Sequence, residues 1–261
     1  MAIVTLTTDF GTLYPASLKA VILGICPGMD IVDITHSVPH ADIRAGAFAI
    51  YSVAEYFPEG TVHIAVVDPG VGTSRKAIII VSGGQYFVGP DNGLMMPAAG
   101  KLGDPEVYEV TNKDLLSTVS STFHGRDIFA RVGAFIAQGL DVREIGRRID
   151  DYIGLDISDA LIQDSRIMAE VNYIDDFGNV ITNIPHNLVN RKIMSGTVLK
   201  INGHNIPFLD IYAHVDAGCM ICLIGSHGFF EIAVNQGSAA KSLGLKNGVS
   251  LNIELIGECG R

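Results

Sequence analysis

Positive charge is scarce in this chain. Its 261 residues hold 18 Lys and Arg against 28 Asp and Glu, a formal net charge of -10. No run of Lys or Arg longer than two occurs, and phosphate-backbone binding needs clustered positive charge, so the composition argues against a nucleic-acid partner. An acidic balance is compatible with a cationic small molecule. Long apolar runs are missing too. None approaches the ~20 residues needed to span a bilayer, which argues against a membrane protein. The start, MAIVTLTTDFG, has no basic segment and meets Asp9 too early for a signal peptide. Cysteine is sparse, with four residues. Cys219 and Cys222 form a nominal CxxC, but Cys219 to Gly225 reads as a strand, where residues three apart face opposite sides. Buried thiols and a reducing cytoplasm are the expectation. There is no P-loop, no GxGxxG, and no HxH or HExxH pair to mark a metal site. Internal repeats and low-complexity segments are absent as well.

What is present is a compact chain, 48% hydrophobic and long enough for two modest domains. The first part alternates strands with helices. Ala2 to Leu6, Met29 to Ile34, Val62 to Val67, Ala77 to Ser82 and Gln85 to Val88 read as strands. Ala16 to Leu23, Ile43 to Tyr56 and Arg126 to Ala137 have helical spacing, and Gly89 to Gly93 reads as a turn. This predicts an α/β domain, a sheet covered by helices, over residues 1–158. After about Asp156 helical periodicity fades. Met168 to Tyr173, Val180 to Ile184, Thr197 to Ile201, Met220 to Ile224, Phe229 to Val234 and Val249 to Leu255 are short strands separated by turn signals. A small all-β antiparallel barrel-like domain over 166–261 is expected, with the boundary between Asp156 and Arg166.

Three segments place ionisable residues among glycines: Thr8-Asp9-Phe10-Gly11, Val67-Asp68-Pro69-Gly70-Val71-Gly72 and Phe123-His124-Gly125-Arg126-Asp127. The first two follow apolar strands. In open α/β sheets, ligands bind outside the carboxyl ends of the strands. Asp9 can there accept two hydrogen bonds from a ribose diol, or serve as an ordinary turn or cap residue. Asp68 is aimed by a tight Pro-Gly loop. With Arg75 and His124 it makes a set that can orient and polarise a water, although each has a plain structural alternative. Asp175 to Asn179 is a polar turn; Asn179 can donate and accept at once, which suits an adenine edge. His36 and His40 lie in a loop near the strand ends and stay unassigned, while His63, inside a strand, reads as a core residue.

Seven motifs recur here in one order: TTDFG, DITHSVPHADIRAGAF, VVDPGVGTSRKAI, FVGPDNGL, TFHGRDIFA, DDFGNVITNI and FFEIAVNQGSAA. Over nearly its whole length the chain resembles the S-adenosyl-L-methionine (SAM) hydroxide adenosyltransferases, the adenosine-forming SAM hydrolases related to the SAM-dependent fluorinase and chlorinase. The resemblance implies hydrolysis of SAM to adenosine and L-methionine, with SAM as substrate and no cofactor or metal. It implies that Asp68, Arg75 and His124 activate water, that Asp9 holds the ribose hydroxyls, that Asn179 reads adenine and that Asp175 holds the methionine ammonium. Ser226 matches the turn that binds the methionine carboxylate; the halogenases carry Arg beside it, where this chain has His227. Gln236 falls where a backbone group meets the adenine. Family members form trimers, with each site between the first domain of one subunit and the second of its neighbour. Two other functions remain open at this point: SAM halogenation, which an anionic Asp68 disfavours, and nucleoside or SAM binding without turnover.

Overall fold

The computed structural model describes residues 3–116, 118–163, 165–189 and 193–258. It divides into two units, Met1–Asp156 and Ile157–Arg261.

In the first unit the elements run β1 (Ile3–Thr8), α1 (Pro15–Ile25), β2 (Asp30–Thr35), α2 (Ile43–Tyr51), β3 (Val62–Val66), β4 (Ala77–Ser82), β5 (Gln85–Pro90), α3 (Met96–Leu102), β6 (Glu106–Val110), α4 (Ala130–Ala137), α5 (Val142–Ile145) and β7 (Gly146–Ile149). The strands form one sheet in the order β2-β1-β3-β5-β4-β6-β7. The pairs β2-β1, β1-β3 and β3-β5 are parallel and the rest antiparallel. Strand alternation sends Val62 and Ile64 to one face, where Gly133 of α4 packs directly on them. Val67 points the other way, against Gly46 of α2. Helices therefore cover both faces, and Val4, Leu6, Leu18, Ile22, Ile64 and Val132 share one buried cluster with exposures of 0%. The chain leaves β1 toward β2 and returns on the other side of β1 to form β3. That reversal opens a crevice beyond the ends of β1 and β3, where Asp9 and Asp68 follow.

The second unit contains β8 (Leu161–Gln163), β9 (Arg166–Ile174), β10 (Val180–Pro185), α6 (His186–Val189), β11 (Thr197–Ile201), β12 (His204–Pro207), β13 (Met220–Ile224), β14 (Phe229–Val234), α7 (Ala239–Leu243) and β15 (Ser250–Glu258). The antiparallel order is β12-β11-β15-β9-β10-β14-β13, with β8 on β9. Just past β12, Phe208 bridges Cys222 of β13, and Leu209 N–H donates to the Cys222 carbonyl at 2.9 Å. The two ends of the ribbon thus meet, and the sheet is a nearly closed barrel around Val171, Leu199, Phe230 and Ile253.

Several local expectations change. The segment read as a helix to Tyr56 ends at Tyr51, followed by a 3-10 turn at Ala54–Tyr56. Gly89 and Pro90, expected in a turn, finish β5. A Cβ on Gly89 would lie 2.3 Å from the Ala65 carbonyl oxygen, so this glycine serves close backbone approach within the sheet. The helix expected from Arg126 opens with a π-helical turn, Gly125–Phe129. Ala2, expected to start β1, lies outside the described residues. The expectation of buried thiols holds for Cys222 alone among the described residues: Cys26 is half-buried, and Cys219 is exposed because it precedes β13 in the turn that enters the strand. His63 is a satisfied core residue: its ring nitrogens bond Thr5 Oγ1 and Gln85 Oε1, each at 2.7 Å. Among the described residues, no helix is long and apolar enough to cross a membrane.

Candidate active site

The loops after β1 and β3 and the start of the π-helical turn build the first constellation. Arg75 grips Asp68 with two groups: Nε donates to Oδ1 at 3.0 Å and Nη2 to Oδ2 at 2.5 Å. The Asp68 side chain is 5% exposed and that of Arg75 11%, so the pair is largely withdrawn from water. The same Nη2 donates to His124 Nδ1 at 2.7 Å. A guanidinium has donors only, so Nδ1 must be the unprotonated nitrogen and the neutral ring carries its hydrogen on Nε2. The His124 pKa lies below the ordinary imidazole value. Burial is the largest cause and Arg75 adds to it, against the opposing pull of Asp68 and Asp127. Arg75 also stands over the Phe129 ring, 5.0 Å from its centre.

Glycine makes this assembly possible. Gly72 has φ +78°, and a Cβ there would come within 2.4 Å of the Ser121 carbonyl oxygen. Only glycine lets the Asp68–Arg75 loop lie against the segment that carries His124. Asp127 anchors that segment: its Oδ2 accepts the Ser120 N–H at 2.8 Å, and Arg126 Nε donates to Oδ1 at 2.6 Å. Burial pushes the Asp127 carboxyl up, but Arg126 and the Ser120 N–H bring it below its ordinary range.

Asp9 is held from the loop after β2. Its Oδ2 accepts the Ala41 N–H at 3.0 Å and lies 3.3 Å from His40 Nδ1. Ala41 is left-handed, with φ +61°, a strained conformation for a residue with a Cβ. Behind Asp9, Thr8 Oγ1 accepts the Phe10 N–H at 3.2 Å and bonds His36 Nδ1 at 2.8 Å. A pocket of about 270 Å3 opens here, walled by Asp9, Asp68 and His124 with the rings of Phe10, Tyr14 and Phe123. Phe123 meets Phe10 and Tyr14 edge-on, both at 5.5 Å. Arg75 lies behind the wall and acts on Asp68 and His124. A carboxylate acceptor, an imidazole N–H donor and an apolar surround can hold a water and take its proton.

The second unit carries the other sequence-predicted residues. Asp175, Asn179, Ser226, His227 and Gln236 all line one cleft of about 1120 Å3. Asp175 organises its hairpin: Oδ1 accepts the N–H groups of Phe177 (3.0 Å) and Asn179 (2.8 Å), and Oδ2 accepts the Asn179 amide at 3.0 Å. Gly178 abuts Ser238, the cap of α7, and the Ala240 N–H donates to the Gly178 carbonyl at 2.9 Å. Gln236 is left-handed, φ +58°. His227 departs from a simple ligand contact, because both ring nitrogens are engaged within the protein. Nδ1 accepts the Phe229 N–H at 3.2 Å, and Nε2 lies 3.2 Å from Glu231 Oε2.

Family models cover both units. The SAM hydroxide adenosyltransferase N-terminal domain matches residues 4–146, and the corresponding C-terminal domain matches 169–252. The chain belongs to the SAM hydroxide adenosyltransferase family. It is 35% identical to the (R)-S-adenosyl-L-methionine hydrolase of Thermus thermophilus, over 94% of this chain and 97% of that one. It is 37% identical to the protein of the same name from Methanocaldococcus jannaschii, over 92% and 91%. A fluorinase of Nocardia brasiliensis is more distant, 27% identical over 92% of each chain. Among solved structures, an uncharacterized conserved protein from Thermotoga maritima superposes with a TM-score of 0.88 at 36% identity, covering 96% of this chain and 99% of that one.

Within this adenosyltransferase fold, sequence reasoning missed three supports of the site. Ala41 was invisible because a strained φ leaves no compositional mark at alanine. Asp127 stood in a quoted motif but had no role. Glu231 did have a signal: it is the one charged residue in the buried strand FFEIAV, where an ionised side chain requires partners.

Proposed function

We propose that this protein hydrolyses S-adenosyl-L-methionine to adenosine and L-methionine by attack of water oxygen on the ribose C5′. The observation that carries this reading is the Asp68–Arg75–His124 assembly, placed with Asp9 at the strand ends of a chain whose family relatives are named for that activity. In this reading Asp68 accepts a proton from the attacking water, while the His124 Nε2–H hydrogen-bonds its oxygen. Arg75 fixes both partners and keeps His124 in the donor tautomer. The new O–C5′ bond forms as the C5′–S bond breaks; its electron pair goes to sulfur, giving a neutral thioether, and the proton passes from Asp68 to solvent. A neutral leaving group requires no general acid, so no cofactor or metal enters the proposal.

Hydroxide-like attack on a sulfonium annihilates charge, and the apolar wall of Phe10, Tyr14 and Phe123 favours that change by excluding water. Near-attack alignment can supply up to ~7–11 kcal/mol of the barrier. Asp9 holds the ribose hydroxyls. Asn179 reads adenine, beside the Gln236 backbone; Asp175 takes the methionine ammonium and Ser226 the carboxylate. These residues divide between two pockets on two units, each lined by its own unit alone. As the family resemblance implies, the reading also includes a homotrimer in which the first unit of one copy and the second unit of its neighbour form each site. The reading also includes a cytoplasmic location, where SAM is made and where sparse thiols stay reduced; among the described residues Cys26, Cys219 and Cys222 are free. The carboxylate of Asp68 at the nucleophile position repels halide and separates this reading from halogenation. The test is incubation with SAM in 18O water, with and without halide. Adenosine carrying 18O at O5′ is expected; halogenated nucleoside, or SAM bound without product, overturns the proposal.

A further inference from the structure

Glu231 is unused by the mechanism above, yet it is the most deeply buried charged group on the second cleft. Its side chain is 4% exposed. It projects from β14, and each carboxylate oxygen has a donor from a different segment. The Tyr212 hydroxyl, on the 3-10 turn Tyr212–His214, donates to Oε1 at 2.7 Å. Burial, reinforced by Glu231, pushes the Tyr212 phenol well above its ordinary pKa, so it stays a donor. On the other oxygen, the tautomer of His227 is set by its neighbour: the backbone N–H of Phe229 can only donate, so Nδ1 accepts and Nε2 carries the hydrogen toward Oε2.

The pair lies directly over Gly225. A Cβ at that position would come 2.3 Å from His227 Nε2 and 2.6 Å from Glu231 Oε2. The turn is closed by Gly228 N–H donating to the Gly225 carbonyl and Gly225 N–H donating to that of Phe229, both at 2.9 Å. This is the turn that presents Ser226. Three segments of the cleft wall, at Tyr212, at Ser226–His227 and along β14, are thus fastened to one carboxylate. An unpaired carboxylate at that depth is costly, so its two partners are required as much as it requires them.

We infer that Glu231 is a positioning residue for substrate binding: through His227 and Tyr212 it fixes the Ser226 turn so that the turn can receive the carboxylate end of the ligand. The side chain of His227 then serves the turn's geometry and is not itself the carboxylate's partner. This rests on the proposed reading of SAM as ligand, as does the kinetic arm of its test; the NMR arm does not. If Glu231 acts by its hydrogen bonds, Glu231→Gln retains the function: the amide oxygen still accepts from His227 Nε2–H, and the amide nitrogen donates to the Tyr212 oxygen. Glu231→Ala cannot.

The experiment compares wild type, Glu231→Ala, Glu231→Gln and Tyr212→Phe by steady-state SAM hydrolysis and by 15N NMR of histidine-labelled protein. Glu231→Ala is expected to raise the SAM KM roughly tenfold or more, in line with loss of one or two buried hydrogen bonds, with kcat much less changed. Glu231→Gln should restore KM to within about threefold of wild type, and Tyr212→Phe should fall between. The His227 Nε2–H tautomer should be seen in wild type and in Glu231→Gln and be lost or averaged in Glu231→Ala. An unaltered KM in Glu231→Ala, or a His227 tautomer that ignores Glu231, overturns the inference. If Gln fails where Ala fails, the charge and not the positioning matters, and the inference is again wrong. Absence of adenosine formation by wild type would instead remove the functional reading, and with it the substrate-binding part of this inference; the NMR series would still decide whether Glu231 fixes the His227 turn.

Discussion

Replacing Asp68 with Asn tests the assembly most directly. The substitution keeps the side chain's shape and removes its charge. In the native site the carboxylate receives Arg75 Nε at 3.0 Å and Nη2 at 2.5 Å, and Nη2 reaches on to His124 Nδ1 at 2.7 Å. An amide can accept on one atom only, so one Arg75 donor loses its acceptor, and no group remains to take the water's proton. General-base assistance is typically worth ~10²–10⁴-fold, or about 3–5 kcal/mol of barrier. We expect kcat for adenosine formation to fall by that factor and the SAM KM to change far less, because the proposed ribose, adenine and methionine contacts lie elsewhere.

Breaking a buried ion pair can also cost about 3–5 kcal/mol of stability, so a falling kcat could come from unfolding. The assay therefore measures product by chromatography well below the melting temperature, with circular dichroism on the same samples and calorimetric SAM binding. A folded variant that binds SAM and turns it over slowly supports the reading. Near-native kcat in a folded Asp68→Asn protein refutes it, and alignment alone would have to supply the rate.

Three further outcomes follow from the same geometry. Asp9→Ala should lose most of the native preference for SAM over its 2′-deoxy analogue, a preference of order 1–3 kcal/mol, measured as the ratio of binding constants; an unchanged ratio means Asp9 only braces the Ala41 loop. Mixing inactive Asp68→Asn chains with Asn179→Ala chains under subunit exchange should restore activity, because a shared site can pair an intact first unit with an intact second; no recovery in verified mixed oligomers argues for sites within one chain. Burial, opposed in part by the Gln85 contact, pushes His63 down to about 4 from an ordinary 6.5. Below 6.5 the unfolded chain takes up this proton before the folded one, so stability should decline between about pH 6.5 and 4, by about 3 kcal/mol in all. In urea titrations His63→Asn should flatten that slope, and an equal slope in the variant removes His63 as its source.

How much could be read in advance varies with the physics involved. Strands such as Val62–Val66 and Thr197–Ile201 were legible because continuous burial or alternation leaves a periodic record. Glu106–Val110 was not read: it pairs β4 and β7, but Glu106 and Glu109, three apart and so on opposite faces, interrupt its apolar pattern, each partnered by an arginine of β7, Arg148 and Arg147. Gly89 was misread because glycine marks both a turn and a close approach of two backbones, and only the position of the Ala65 carbonyl tells them apart. At the site, Asp9 and Asp68 could be named from motifs at strand ends, since strand-end loops are where a twisted open sheet exposes side chains to a ligand, whereas Arg75 and His124 rested on the family resemblance. What motifs cannot encode is direction.

The case of His227 shows why direction decides the chemistry. Read as a residue type beside Ser226, histidine is a weaker stand-in for the arginine of the halogenases, and its charge would follow pH. Read with its partners, it has one nitrogen occupied by the Phe229 N–H and the other turned to Glu231. Those two contacts set the ring's orientation and turn its N–H to Glu231. His124 passes through the same logic to the opposite result: Arg75 occupies Nδ1, and the remaining N–H belongs to a side chain that lines the pocket. In each ring a neighbour that can only donate sets the tautomer, and the other nitrogen's surroundings then determine whether the imidazole serves the protein or the reaction.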